Sequence, residues 1–167
     1  RGFEVNADGC LTKYTGTDSD VVVPEGVKTI NDRAFHGCGI LRSVVIPDSV
    51  TTIGERAFGR CPNLSLVELQ EGLQQIGNYA FAECERLESV VIPSSVTEIG
   101  WWAFSDCIRL RLVVVTDSLR ATAFEGLRAT VFEGCGSLKF IHCSEQQWQR
   151  LQEQGVIASG MHRVDSK

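Results

Sequence analysis

A repeat of 23 residues runs through most of this 167-residue chain and constrains its fold more than any other feature. The dipeptide Ala-Phe recurs at that spacing, and a cysteine follows three residues after each phenylalanine. The four copies are Ala34–Phe35, Ala57–Phe58, Ala80–Phe81 and Ala103–Phe104, with Cys38, Cys61, Cys84 and Cys107. Apolar positions in register at one period predict a solenoid, because each unit can bury its apolar face only against its neighbours.

Each unit combines a strand with a second segment of different character. The sequence LRSVVIP (Leu41–Pro47) alternates and is β-branched, which predicts a short strand with Val44 and Ile46 inward. The segment IGERAFGRC, which starts at Ile53, has no alternation and contains good helix formers. It predicts a short helix or 3₁₀ turn on the opposite face. A strand and a helical turn in 23 residues is the plan of a leucine-rich repeat.

The repeat also resembles a known family. The unit IGERAFGRCPNLSLVELQEGLQQ resembles the AF-x-x-C-x-x-L-x-x-V-x-I-P repeat of the BspA-like leucine-rich-repeat family, and the similarity covers roughly residues 3–143. The segment Phe3–Val27 is similar to the entry of such arrays, which implies a hairpin, turning near Asp8–Gly9, that covers the first open edge. For function, the resemblance implies surface display and adhesion, with an extracellular or cell-surface location.

We therefore predict an α/β repeat fold, a right-handed leucine-rich-repeat solenoid with a parallel sheet on its concave face. We expect a single domain over residues 1–167, with an N-terminal β-hairpin cap in 1–20 and repeats in 21–143. Residues 144–167 should form a C-terminal helical cap and a tail. With both ends closed in this way, the array is expected to be complete.

The predicted C-terminal cap follows from the sequence that begins at Ser144. Ser144 and Gln147 have the spacing of a capping box, and Gly155 is a helix stop signal. Trp148 and Leu151 lie three residues apart, so they can cover the last repeat. The tail that follows the helix is expected to fray.

The repeat breaks around residues 119–134, where LRATAFEG is followed by LRATVFEG. The next Phe-x-x-Cys is Phe132–Cys135, so its phenylalanine comes 28 residues after Phe104 instead of 23. We expect the extra residues to bulge from the turn side, because the strand edge cannot absorb them without losing register.

Two adjacent tryptophans, Trp101 and Trp102, stand where the preceding repeats carry Asn78–Tyr79 and Glu55–Arg56. In one interpretation they are an exposed aromatic contact for a partner, since tryptophan often anchors interfaces. In the other, the nearby insertion around 119–134 folds over them, and its position after the pair favours this interpretation. At the equivalent positions of earlier repeats, Arg56 beside Tyr79 predicts a cation–π contact.

The cysteines and histidines predict no reactive site. Five of the seven cysteines occupy one repeat column and should be buried free thiols, and the chain has no C-x-x-C zinc motif. His142 and Cys143 are adjacent, but strand alternation sends them to opposite faces, while His36 is expected on the surface of a turn. The common nucleophile, metalloprotease and nucleotide-binding motifs are missing. We therefore predict no enzyme activity, no cofactor and no metal.

Charge and hydropathy exclude two classes of partner. The formal net charge is −5 and the isoelectric point is near 5.2, which argues against binding to nucleic-acid phosphates. No window approaches the roughly 18 uninterrupted apolar residues of a membrane helix. We expect neither nucleic-acid binding nor membrane insertion.

The alternate strand residues that face outward form the predicted binding surface. Several of them are apolar, which predicts a partner groove on the concave face. Exposed valine also suits a strand without any partner, so both interpretations stay open. Together with Trp101 and Trp102, the candidate partner-binding residues are Val22, Val45, Leu66, Glu68, Val91, Leu112, Val114, Phe140 and His142.

These features predict a non-catalytic binding module that recognises a protein or a surface glycan by shape and apolar contact. The alternative is a structural spacer or self-association domain of a larger surface protein. In that case the apolar stripe would pair with itself in a homodimer.

Overall fold

The computed structural model describes residues 2–116 and 129–165 of the chain. The chain forms a stack of successive rungs, a rung being one copy of the repeat. In chain order its elements are β1 (Phe3–Val5), β2 (Cys10–Tyr14), β3 (Asp20–Val22), β4 (Thr29–Ile30), β5 (Ser43–Val45), β6 (Thr52–Ile53), β7 (Leu66–Glu68), β8 (Gln75–Ile76), β9 (Ser89–Ile92), β10 (Glu98–Ile99), β11 (Leu112–Val115), a 3₁₀ turn (Ala129–Phe132), β12 (Phe140–Cys143), α1 (Glu145–Glu153) and β13 (His162–Asp165).

The predicted parallel sheet is present, in two hydrogen-bonded parts. Strands β3, β5 and β7 form one part, and β9, β11, β12 and β13 form the other. Within each part the strands are parallel, as in the pairs Ser43↔Leu66 and Ser89↔Leu112, which lie one repeat apart. Val44 and Ile46 are buried, as their alternation predicts. This confirms the solenoid and its strand columns.

A second sheet, which the sequence did not predict, runs along the rungs. Strands β4, β6, β8 and β10 have two residues each and pair in parallel with their neighbours. Each carries a buried isoleucine, for example Ile53, which is the first residue of the segment predicted to be helical. Two residues are too few to show a period of two in the sequence, so the pattern gave no strand signal.

The Ala-Phe segment, predicted as a short helix or a 3₁₀ turn, is neither a regular helix nor a continuous 3₁₀ turn in the regular rungs. The amide of Ala57 donates to the carbonyl of Gly54 and that of Gly59 to Arg56, so the segment is a series of tight turns. The φ angles of Arg56 and Arg60 are 54° and 55°, in the left-handed region that interrupts a right-handed helix. Backbone amides that would donate within a helix donate to carbonyls of the next rung instead, as the amide of Phe58 does to Ala80. In the last rung a 3₁₀ turn spans Ala129–Phe132, as predicted.

The core is a column of stacked rings that passes through the rungs. Consecutive ring centroids lie between 4.7 and 5.8 Å apart along Tyr14, Phe35, Phe58, Phe81, Phe104 and Phe132. Beside the rings lies the cysteine column, in which the Cys61 thiol donates to the carbonyl oxygen of Phe35 in the preceding rung at 3.1 Å. Each rung is therefore held to its neighbours by ring contacts and by weak thiol hydrogen bonds.

The N-terminal hairpin turns where expected. Strands β1 and β2 are antiparallel, the amide of Gly9 donates to the carbonyl of Asn6, and Gly9 has φ of 80°. On its other side β2 pairs in parallel with β4, so the hairpin continues the second sheet. Its role as a cap stays a prediction.

The backbone hydrogen bonds bracket the insertion. The amide of Phe104 donates to the carbonyl of Val131, whereas the amide of Phe81 donates to the carbonyl of Ala103. The number of residues between donor and acceptor is five larger in the first pair. Strand β11 is still in the regular register with β9, so the extra residues lie between Val115 and Val131. Residues 119–128 of the predicted bulge lie outside the described residues, so its shape remains a prediction.

The C-terminal helix forms as predicted, but the tail, as far as Asp165, is ordered as a strand and does not fray. Ser144 and Gln147 make the reciprocal hydrogen bonds of a capping box, and Leu151 is buried. Beyond the helix, β13 pairs in parallel with β12 as one more strand. The physical reason is that α1 provides the return connection that parallel neighbours require, and Arg163 then bonds the carbonyl of Cys143 at 3.2 Å. Within the described residues the outermost strand of this sheet is therefore β13, and the role of α1 as a cap stays a prediction.

Candidate binding surface

The strand residues predicted to face outward do line one surface. Strand pairing puts Leu112 beside Ser89 and Phe140, and Val114 beside Val91 and His142. We call this surface the exposed sheet face. Its members are Val22, Val45, Leu66, Glu68, Val91, Leu112, Val114, Phe140 and His142.

The apolar members of the exposed sheet face differ in how much solvent they meet. Val22 is 66% exposed and Phe140 is 44% exposed. Val45, Leu112 and Val114 are half-buried between their neighbours in the sheet. Val22 pairs with Val45 in the neighbouring strand, so apolar residues occur in both halves of the face, and in the carboxyl-terminal half Leu112 and Val114 are partly covered by their neighbours.

An open cavity of about 560 Å³ lies at the carboxyl-terminal half of this face. Its apolar lining comes from Leu112 and Phe140, and its cationic lining comes from Arg111 and Lys139. Sequence reasoning missed the two cations, which directly precede the outward positions of β11 and β12. The sequence does contain a signal for them, because the residue directly before the first outward strand residue is basic in both of these rungs.

Strand β13 extends the exposed sheet face by residues that sequence reasoning also missed. His162 pairs with Phe140, and their rings lie 6.2 Å apart between centroids. Val164 pairs with His142 and is 40% exposed. The alternation of HRVD was the only signal for this strand, and it is too short to be recognised without the neighbouring rung.

The two tryptophans have different surroundings. Trp101 remains 45% exposed, so the expectation that it is buried is wrong. Trp102 is half-buried: its ring stacks on Tyr79 at 5.3 Å, and its Nε1 donates to the Glu133 carboxylate at 3.1 Å. Glu133 follows the extra residues, in the rung where the repeat resumes, so this contact joins Trp102 to the next rung, and a contact between Trp102 and the extra residues stays a prediction. The predicted cation–π contact is also present, with Arg56 4.2 Å from the centre of the Tyr79 ring.

None of the cysteines forms a disulfide, and all except Cys10 and Cys38 are buried. Burial raises the pKa of Cys61 to about 12 and that of Cys84 well above its ordinary value. Thiols of this kind are poor nucleophiles at neutral pH, because the reactive form is the thiolate. Cys38 departs from its column, since it is half-buried.

The histidines are not arranged around a reactive cysteine. His142 lies on the exposed sheet face, while Cys143 is buried, as strand alternation predicts. His36 differs from the expectation of an exposed side chain: it is half-buried, because the next rung contributes Gly59 beneath its ring. In residues 2–116 and 129–165, no group of three or more His, Cys, Asp or Glu side chains could hold a metal ion.

The described helices include none that is long and apolar enough to cross a membrane. Solenoids whose rungs contribute parallel strands include the leucine-rich-repeat proteins, whose repeats are about 20–29 residues long.

This chain belongs to the BspA-type leucine-rich-repeat family, whose model matches six copies over residues 13–139. None of the curated proteins is similar enough to the chain to count as a relative.

Solved structures of bacterial leucine-rich-repeat proteins are similar to it. A leucine-rich cell surface protein from Faecalibacterium prausnitzii is 32% identical over 89% of this chain, with a TM-score of 0.79, and the match spans 39% of that protein. The leucine-rich-repeat protein of Treponema pallidum is 33% identical over 84% of this chain and 67% of its own, with a TM-score of 0.70. The pneumococcal vaccine antigen PcpA, at 16% identity and a TM-score of 0.79, shares the fold over 99% of this chain and 46% of its own.

Proposed function

We propose that this chain is a non-catalytic binding domain, one unit over residues 1–167, that recognises a protein partner at a cell surface. Its contact region is the carboxyl-terminal half of the exposed sheet face. The observation that carries the proposal is the cavity of about 560 Å³, where Leu112 and Phe140 meet Arg111 and Lys139. The similarity to the F. prausnitzii cell surface protein supports the location.

The chemistry of the cavity defines the kind of partner. Leu112 and Phe140 offer apolar area, whose burial gives about 25 cal/mol for each Å² removed from water. Arg111 and Lys139 add cationic groups at the rim, and the ion pair of Arg111 with Glu88 is loose, at 3.6 Å between exposed side chains. An apolar segment flanked by acidic residues therefore suits this region, since rim charges mainly set specificity and association rate.

A peptide-display selection against the purified chain tests this proposal. Peptides selected on the parent alone are then measured against Phe140→Glu, which places a charge at the centre of the contact region. We expect enriched peptides with apolar and acidic residues, and affinities at least about tenfold weaker for Phe140→Glu. The matched control is Val22→Glu, an exposed position on the other half of the same face, which should change affinity by less than about twofold. Equal binding to the parent and to both variants would contradict the proposal.

Self-association is the alternative function, and the position of β13 favours it. This strand is the last in its sheet and, within the described residues, pairs only with β12. Exposed edge strands can pair with a second chain. Light scattering over a range of concentrations decides between the two: a mass that rises with concentration in the parent but not in Val164→Lys supports self-association, and a constant monomer mass eliminates it.

A further inference from the structure

A groove on the turn side of the solenoid, away from the exposed sheet face, contains more positive than negative charge. Its cavity is about 260 Å³ and is lined by Arg33, Arg56 and Arg60, with Glu83 as the one carboxylate. We call this cavity the turn groove. Such a cluster is unusual in a chain whose formal net charge is −5.

The repeat builds the floor of the turn groove from small residues. His36, Gly59 and Ala82 occupy the same repeat position in three successive rungs and line the cavity. A Cβ atom on Gly59 would lie 3.1 Å from Nδ1 of His36, so glycine leaves room for the imidazole. The floor of the turn groove therefore has no side chain at Gly59, in the rung that carries Arg56 and Arg60.

The arginines of the turn groove are only partly neutralised. Arg60 pairs with Glu83 at 3.0 Å, but both side chains are largely exposed, and such surface pairs are weak. Arg56 pairs with Glu55 at 2.7 Å. Arg33 makes no side-chain hydrogen bond or ion pair within the part of the chain that the structure describes. Each guanidinium has five N–H donors, so unused donors remain around the cavity.

The pKa of His36 is affected by the positive charge of the turn groove. Burial lowers the pKa of His36 below its ordinary value, and Arg33, Arg60 and Arg56 lower it further against the opposing effect of the Arg56 carbonyl. Its Nδ1 is buried and has no hydrogen-bond partner among the described residues. A negative group in the groove would favour the protonated imidazole, which could then donate from both nitrogens.

We propose that the turn groove binds an oxyanion, a sulfate or carboxylate group, with Arg33 and Arg60 as donors beside Arg56. Guanidinium groups suit this role because their fork of N–H donors matches the oxygens of carboxylates and similar anions. The anion is either a free ion or the acidic group of an oligosaccharide. This site is independent of the protein contact on the exposed sheet face.

The ring resonances of His36 in NMR spectra provide the test. Sodium sulfate is added at constant ionic strength by replacing chloride, and the His36 pKa is measured with and without it. We expect a saturable shift and a rise of about one pKa unit, because an opposite charge comes within a few ångströms of the ring. His142 and His162, on the exposed sheet face, serve as internal references and should not move.

Variants show whether the arginines hold the anion. Arg33→Gln and Arg60→Gln remove one charge each and keep the backbone preference of a long polar side chain. Each should weaken sulfate binding about tenfold, the usual effect of losing a hydrogen bond to a charged group. Arg109→Gln is the matched control, since Arg109 is exposed and lies outside the groove, and it should change binding by less than about twofold.

A sulfated tetrasaccharide and its desulfated counterpart distinguish the two sources of the anion. Tighter binding of the sulfated sugar than of free sulfate assigns the site to an acidic glycan, and equal binding assigns it to the free ion. The proposal is overturned if sulfate moves His36 no more than chloride does. It is also overturned if Arg109→Gln weakens binding as much as Arg33→Gln does.

Discussion

Two neighbouring columns of the turn segment share one backbone but differ in their side chains. The inward column carries the same buried ring in each regular rung, namely Phe35, Phe58, Phe81 and Phe104. Two residues earlier, the outward column changes from rung to rung, with Arg33, Arg56, Tyr79 and Trp102. All four outward residues have φ between 54° and 60°.

The difference shows which positions the repeat constrains. An inward ring must fill the same space between identical rings above and below, and interiors tolerate little change in volume. An outward residue has only to accept the left-handed backbone, which costs roughly 1–2 kcal/mol for a residue such as arginine, tyrosine or tryptophan. The outward column can therefore vary, and in this chain it passes from the cations of the turn groove to the Tyr79–Trp102 stack.

The largest expected difference between the inward and outward columns is the loss of stability when a side chain is truncated to alanine. Phe81→Ala should lower the free energy of unfolding by about 3–5 kcal/mol, because the rung cannot collapse onto the cavity that is left. Tyr79→Ala should cost only about 1 kcal/mol, from the lost contacts with Arg56 and Trp102. Chemical denaturation of the two variants beside the parent measures both. Equal losses would show that the outward stack supports the solenoid as strongly as the core does.

The sequence predicted the inward columns well because each is defined by burial at a fixed period. Phe81, Cys84 and Val90 are buried where the period places them. It failed on the backbone of the turn segment, because Glu55 and Ala57 favour helix in isolation. The conformation there depends on hydrogen bonds between rungs, which the sequence of one unit does not reveal.

The binding surface was predictable in the same partial way. Alternation identified Leu112 and Phe140 as outward residues, because a strand that is buried on one side has a period of two. Arg111 and Lys139 lie just before those positions, where the alternation of the strand predicts nothing about charge. The strand at His162–Asp165 was missed because the helix α1 replaces the turn segment of its rung and removes the Ala-Phe signal.

A second contrast with the exposed outward column is that burial opposes ionisation of the Cys61 thiol. The folded pKa of Cys61, about 12, lies above the ordinary value of 9.0, so its contribution to stability is complete below pH 9 and is lost as the pH rises towards 12. We expect Cys61→Ala to reduce the loss of stability in this range by about 1.4 kcal/mol for each pH unit. Denaturation under reducing conditions at pH 8, 9 and 10 measures the slope. Val67→Ala removes buried atoms without a titratable group, so it should keep the slope of the parent, and an unchanged slope in Cys61→Ala would contradict the prediction.

The smallest effect concerns an outward contact that joins two rungs by charge. The Glu71 carboxylate accepts hydrogen bonds from the hydroxyl and amide of Ser94 and from the amide of Ser95, at 2.8 to 3.1 Å. Burial alone would raise the pKa of Glu71, but these hydrogen bonds lower it below its ordinary value of 4.5. The contact therefore adds stability above pH 4.5 and loses it as the carboxylate is protonated in acid.

Glu71→Gln should cost about 0.5 kcal/mol at pH 7, a small value because the group is exposed and the amide oxygen still accepts a hydrogen bond. The difference from the parent should be smaller at pH 3 than at pH 7, because protonation of the Glu71 carboxylate in acid removes its charge. Glu85→Gln is the matched control, since Glu85 is exposed and makes no side-chain hydrogen bond or ion pair within the described residues, and it should leave stability unchanged at both pH values. A cost for Glu71→Gln that is the same at pH 7 and pH 3 would mean that the contact depends on shape and not on charge. The exposed turn at Glu71 would then be constrained by packing, as the inward column is.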